Sequence, residues 1–589
     1  MISNYKQIMQ QWLYILILVI STNQVNAQNS VPYILDMVQN NPGEPLTVSE
    51  FNKPDYLKKH GYNGQVIADF TFAHAALTFE KLNPLIFPEG SDERAWVTKA
   101  AERVRQNIKA AHQAGIKIYY FTDIIVLPKK LVELYRNEIC DKDGQISFER
   151  PKTVEIHRIM LNELFETFPD LDGLVIRTGE TYLNNVPYHT GNNPITNAEE
   201  SHIKLINLLR EEVCVKRNKN VFYRTWSFGG MHEQPPYYLN VTNKIAPHPN
   251  LIFSIKHTKG DYHRTFDFNP TITLGKHPQI IEVQCQREYQ GKGAYPNYVM
   301  EGVINGFEEY QTNTPQTGFT GLQEVSSNPN FKGIWSWSRG GGWVGPYITN
   351  EFWCRLNAYV ISHWGANTKQ TELQVFNRFM TENGITGKSA TYFRKLCILS
   401  AQAVLRGHYS ASLPFKTDWV WWMRDEFLAG IDRENEPFSS EGPLLDAFTS
   451  YYEQDLLRKA VEEKYEAVRI WKEIVQLSNL IRMTDKEDEV YIRISSKYGL
   501  LLHQIVAEGW NIMALGFIGD KTGKYDKVKL ASAIRMYDEL WSQYNQLKAD
   551  NPSCATLYKP YAFAYQAPSY HAKKGMAASI DKYRQLLLK

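Results

Sequence analysis

Several apolar runs in this chain end on charged side chains, and three of these endings carry the residue types that acid–base chemistry on a sugar requires. The run Gly173-Leu174-Val175-Ile176-Arg177-Thr178-Gly179-Glu180 closes on a carboxyl group. A second, Ser254-Ile255-Lys256-His257, continues into Lys259-Gly260-Asp261. The third, Ile281-Glu282-Val283-Gln284-Cys285-Gln286-Arg287-Glu288-Tyr289, alternates, and a period of two puts Glu282, Gln284, Gln286 and Glu288 on one face of a strand. Ordinary barrel packing takes Val, Ile and Leu at such positions, so this polar face reads as a site. For Glu282 a second reading stands beside it, a buried ion pair with Arg177 or Lys256 that fixes strand register. Hydrolysis of a glycosidic bond needs a protonated carboxyl on one side of the anomeric centre and a carboxylate on the other, which activates water or attacks directly. Glu180 and Glu288 fit that division. Aromatic neighbours such as Tyr182 would raise the pKa of the acid by desolvation.

Such groups work only if strands hold them at one end of a common core. Eight short runs rich in β-branched and aromatic residues punctuate the first 340 residues: Val31–Val38, Gln65–Phe70, Ile116–Asp123, Gly173–Glu180, Val221–Phe228, Leu251–His257, Ile280–Glu288 and Gly333–Arg339. Amphipathic stretches such as Trp96–Gln113, Val154–Phe168 and Glu200–Cys214 separate them and are long enough for crossover helices. The expected fold class is α/β, a (β/α)8 TIM barrel over residues 28–365, with its active site on the C-terminal face of the strands. An open doubly wound sheet has less support, because no GxGxxG or GxxxxGK[ST] follows the first strand. Glu180 and Glu288 then sit on the fourth and seventh strands, roughly across the barrel. That layout suits a wide separation with room for water, hence inversion.

After Asn350 the texture changes to long helical segments: Glu351–His363, Glu372–Met380, Ala390–Leu405, Leu444–Ser478, Glu487–Leu515 and Lys527–Leu547. Residues 366–589 are expected to form an α-helical region, packed as a bundle or offering the surface of a homodimer. At the amino terminus Lys6, the apolar run Trp12–Ile20 and the small residue Ala27 form the pattern of a secretory signal peptide over residues 1–27. A periplasmic or secreted protein is expected, without membrane attachment after cleavage, since no later stretch approaches the apolar length of a membrane helix.

The formal net charge of +2 gives no broad field for nucleic acid. Cys140, Cys214, Cys285, Cys354, Cys397 and Cys554 lack CxxC pairing, which leaves buried thiols or one or two disulfides. His74, His189 and His257 fall near loop ends without ligand spacing, so neither a metal nor a cofactor is expected. Aromatic residues make up 13% of the chain, which serves core packing and also suits stacking on sugar rings. Trp335 and Trp337 share one face of the eighth strand and, pointing inward, would form such a floor; Trp343 follows a triple glycine nearby. Asp123 closes the third strand, where it could bond a sugar hydroxyl or cap the next helix.

At these segments the sequence resembles the family 67 glycoside hydrolases, the α-glucuronidases. Asp172 to Glu180 stands where that family's acid-bearing strand ends in Ser-Glu-Gly, although here the residues are Gly-Glu-Thr. Ile255-Lys256-His257-Thr258-Lys259-Gly260-Asp261 is similar to the family's Ile-Lys-Asn-Gly-Pro-Met-Asp, and Glu282 to Tyr289 to its Glu-Phe-Gln-Ile-Thr-Gln-Glu-Tyr. The resemblance implies Glu180 as general acid and Asp261 with Glu288 as the carboxylates that activate water. It also implies Arg224, in Tyr223-Arg224-Thr225-Trp226, as the group that meets a uronate carboxylate; a structural pair with an interior acid is the alternative. Lys256, Glu282, Asp123, Trp335 and Trp337 complete the expected substrate contacts. The amino-terminal β-rich domain of that family is not expected here. The function so implied is exo-acting, inverting removal of α-linked glucuronate or a related sugar from plant-type or other oligosaccharides. A glycan-binding protein on a degenerate barrel and a polysaccharide lyase using His257 or Lys256 are the rival classes.

Overall fold

The computed structural model describes residues 30–42, 45–192, 199–226, 230–311, 318–340, 346–410, 412–413, 443–555 and 575–588. The expected signal peptide and Trp343 lie outside the described residues. Eight parallel strands close into a barrel in simple sequential order: β1 (Tyr33–Gln39), β2 (Gly64–Ile67), β3 (Lys117–Asp123), β4 (Gly173–Arg177), β5 (Asn220–Arg224), β6 (Leu251–Lys256), β7 (Gln279–Gln284) and β8 (Phe331–Gly340), with β8 pairing back onto β1. Alternation along each strand divides the core in two. Leu35, Met37, Tyr119, Phe121, Val175, Phe222, Ile252, Ile280, Trp335 and Trp337 fill the barrel, while Ile34, Val38, Ile118, Tyr120, Leu174, Ile176 and Ile334 pack under the helices.

Gly173 at the start of β4 and Gly333, two residues into β8, are glycines that the neighbouring backbone requires. A Cβ at Gly173 would lie 2.1 Å from the Asn220 carbonyl oxygen, and one at Gly333 would lie 2.0 Å from that of Tyr33. The crossover helix Asp92–Gln113 begins where Ser91 Oγ accepts the Arg94 N–H at 3.1 Å. On the helix-facing side, Asp36 of β1 accepts hydroxyl hydrogen bonds from Ser336 (2.5 Å) and Ser338 (2.6 Å) of β8, tying the closing seam of the barrel. Burial pushes its pKa up to about 7.

Beyond the barrel, Phe352–Ala366 packs on β8, and Glu372–Glu382, Gly387–His408, Pro443–Glu453, Leu457–Leu480, Lys486–Thr522, Lys527–Asp550 and Gly575–Leu588 follow as helices. The expected single segment Leu444–Ser478 is two helices, broken where Asp455 takes a left-handed φ of 57°. Lys486–Thr522 is, against expectation, long and apolar enough to cross a membrane, yet two thirds (67%) of its most apolar window is buried, between Leu457–Leu480 and Lys527–Asp550. Its ends are capped: Asp485 Oδ1 accepts the N–H groups of Glu487 and Asp488, and Gly523 adopts a left-handed φ of 71°. All six cysteines are buried free thiols.

Candidate active site

A cavity of about 540 Å³ opens at the C-terminal ends of the barrel strands, and every strand or the loop after it contributes a wall residue, among them Gln39, Phe70, Phe121, Glu180, Arg224 and Trp337. The volume lies within the usual range for small-molecule sites. Glu180, Asp261 and Glu288 all line it.

Glu180 stands in the loop after β4, and the floor beneath that loop is ionic. Arg177 closes β4 and forks onto Asp123 at the end of β3, Nε to Oδ1 and Nη2 to Oδ2, both at 2.5 Å. The guanidinium lies over the rings of Phe121 (4.8 Å), Tyr182 (4.9 Å) and Phe70 (5.5 Å). Asp123 also accepts the Tyr182 N–H at 3.2 Å, so one carboxylate fixes both the arginine and the loop bearing Glu180. Desolvation raises the Glu180 pKa, and the negative charge of Asp261 adds to that rise; Arg177 and Lys256 oppose it. The nearest arginine nitrogen, Arg177 Nη1, is 3.6 Å from Glu180 Oε2, beyond a hydrogen bond.

Asp261 is in the opposite electrostatic situation. Burial would raise its pKa, but Lys256 Nζ donates to Oδ1 at 2.6 Å and the Tyr289 hydroxyl donates to Oδ2 at 2.5 Å, which together hold the carboxyl well below its ordinary range. Lys256 itself sits 3.6 Å over the Trp226 ring.

Glu288 arrives differently from the expected alternation. β7 ends at Gln284, and Arg287 turns the chain with a left-handed φ of 47°. Glu288 therefore reaches the cavity from a loop, pinned by its own N–H to Gln284 Oε1 (2.8 Å). Gln39, the last residue of β1, organises this loop: its Oε1 accepts from Gln284 (3.2 Å) and Gln286 (2.7 Å), and its Nε2 donates to Glu288 Oε2 at 3.1 Å. Gln39 was not among the expected site residues, although a polar residue terminating an apolar strand was the available signal.

Three expected substrate contacts lie under the cavity rather than in its wall. Glu282 is fully buried and grips Arg224 with both oxygens (2.9 and 2.8 Å) while accepting from Ser254 Oγ at 2.9 Å. Its partner is thus Arg224, not Arg177 or Lys256. Asp123 holds Arg177, and Trp335, though inward, packs beneath Trp337 with ring centroids 5.7 Å apart. Arg224, Lys256 and Trp337 do line the cavity. The bidentate pair uses Nε and Nη2 of Arg224, and Nη1 has no hydrogen-bond partner among the described residues. Tyr182, Trp226, His263 and Tyr289 also line the site and were not anticipated as contacts. His257 is buried against the Glu282 carbonyl and is not part of the wall.

No protein-family model matches the sequence, and no curated protein is similar to it in sequence. Solved structures share the architecture. The chain is similar to a GH138 enzyme targeting pectin rhamnogalacturonan II, with a TM-score of 0.58 at 11% identity over 95% of this chain and 84% of that one. Weaker likenesses are to an O-GlcNAc hydrolase of Thermobaculum terrenum (TM-score 0.40, 8% identity, 95% and 94% covered) and to a GH20 exo-β-N-acetylglucosaminidase of Vibrio harveyi (0.31, 12%, 59% and 58%). The fold, a (β/α)8 barrel followed by helices, is shared with that GH138 enzyme.

Proposed function

We propose that this protein is an exported, exo-acting glycoside hydrolase that removes an α-linked uronate, glucuronate or a relative, with inversion. The observation that carries this reading is the electrostatic division within one cavity: Glu180 has its pKa raised by desolvation, while Asp261 is held ionised by Lys256 and Tyr289. A carboxylic acid poised to donate beside a permanent carboxylate is the arrangement that protonates a leaving oxygen while stabilising positive charge at the anomeric carbon.

Both Asp261 oxygens are engaged and its basicity is low, so proton abstraction from water falls to Glu288. Arg224 Nη1, carried on a guanidinium that Glu282 locks in place, is the group offered to a sugar carboxylate. The GH138 neighbour targets pectin rhamnogalacturonan II, and pectin-type fragments join glucuronate-bearing xylan fragments as candidate substrates. A lyase is less favoured, because His257 is walled off from the cavity and Lys256 is committed to Asp261.

Proton NMR of the anomeric signals during turnover of α-linked uronosides tests the reading, with the β-anomer expected first. Initial release of the α-anomer would mean retention, a vinylic product a lyase, and no turnover on any uronoside would favour a binding role. The division of labour gives a second expectation. Glu288→Gln should lower kcat/KM by about 10²–10⁴. Asp261→Asn should cost less, roughly tenfold, as expected for a charge stabiliser rather than a proton acceptor. Equal losses in steady-state kinetics would remove that assignment.

A further inference from the structure

Asp261 and Glu288 are carried by the loops after β6 and β7, and both loops are tied to one side chain from the helical region. Tyr409 caps the helix Gly387–His408 and is fully buried. Its hydroxyl accepts the Arg264 N–H (3.3 Å) from the first loop and the Gln290 amide (2.7 Å) from the second. Its ring meets His263 edge-on at 6.2 Å, and His263 in turn stacks flat on Tyr289, with centroids 4.3 Å apart and planes at 9°. Tyr289 is the donor to Asp261 Oδ2. The contacts therefore run without a gap from the helical region to the candidate carboxylate.

Tyr409 is itself fixed from behind. The buried Lys464 ammonium, on the helix Leu457–Leu480, donates to the carbonyls of Tyr409 (2.5 Å) and Arg406 (2.8 Å), a cation placed where a helix end leaves oxygens without partners. Arg264 is anchored on the same side through Ala401 O (2.9 Å) and Glu309 (2.5 Å).

We propose that Tyr409 is a positioning residue for the candidate carboxylates: the helical region builds one wall of the catalytic apparatus through it, setting the spacing of the loops that carry Asp261 and Glu288 and aiming the Tyr289 hydroxyl at Asp261. The assignment of those carboxylates rests on the reading above, but the clamp is tested without a substrate.

Tyr409→Phe in the full chain keeps the ring and removes the shared acceptor. Gln290→Met removes one of the same bonds from the barrel side. Hydrogen–deuterium exchange should rise about tenfold in residues 257–266 and in residues 285–292 in Tyr409→Phe, as loss of one buried hydrogen bond from each of these two segments implies, with Tm near that of the parent. Carbodiimide labelling of Asp261, followed by peptide mass spectrometry, should begin at a pH higher by on the order of one unit, because the carboxylate loses part of the hydrogen bonding that keeps it ionised. Gln290→Met should loosen the same segments, and the double variant should show less than the sum of the two effects. Unchanged exchange and labelling would overturn the proposal. So would a rise spread evenly over barrel and helices with a fall in Tm, the signature of a residue that only supports packing. Absence of glycosidase activity would fail the functional reading and leave this result standing.

Discussion

Glu180→Gln is expected to abolish most turnover of natural glycosides, lowering kcat by about 10²–10⁴ with KM little changed, because in the proposed role its proton is needed only in the transition state. Aryl glycosides with an acidic leaving group need no such proton and should lose far less. The pH dependence follows from the signs of the shifts. Glu180 must be protonated, and burial raises its pKa above the ordinary 4.5, so activity should be lost on the alkaline side as pH climbs through the raised value. Asp261 must be ionised and is held below its ordinary 3.8, so it stays charged throughout the working range. The alkaline limb should vanish in the Gln variant. Rates measured against pH on both substrate types check this. Equal loss on both, or an alkaline limb that persists, would take the general acid away from Glu180.

The barrel was legible because its strands announce themselves twice, by β-branched and aromatic composition and by ending in polar residues. All eight expected runs overlap a strand, and the discrepancies have local causes. The seventh run overshoots because Arg287 leaves the extended region, and Leu444–Ser478 divides at Asp455 for the same reason. A left-handed non-glycine residue has no strong sequence mark. The three carboxyl groups converge as the strand ends implied, but depth did not follow. Sequence alternation tells whether Glu282 or Trp335 faces inward; how far along the barrel axis each lies depends on the stagger between strands, which only the closed sheet defines. Asp123, Glu282 and Trp335 therefore lie under the cavity they were expected to line. Contacts such as Gln39 to Glu288, or Tyr409 to Gln290, join residues far apart in sequence and leave no periodic trace at all.

The buried pair of Glu282 and Arg224 separates stability from function more sharply than any other position. Arg224 is packed against the faces of Phe121 (5.2 Å), Trp337 (5.3 Å) and Trp335 (5.5 Å), and its charge is matched by Glu282 from inside the barrel. Removing the acid alone leaves a guanidinium with no counter-charge in an apolar interior, so Glu282→Leu should destabilise the fold by about 3–5 kcal/mol. Replacing both partners, Glu282→Leu with Arg224→Met, removes the charge as well as its match; the cost should shrink to near zero or turn into a gain of about 1–4 kcal/mol. Chemical denaturation of the three proteins reads this directly. The double variant, although stable, should lose affinity for uronate-bearing sugars while a neutral analogue of the same ring keeps its own, because the carboxylate partner has gone and the cavity wall has not. A stable double variant that still prefers the uronate would move acid recognition away from Arg224, leaving Arg177 and Lys256 as cations of the wall among the described residues.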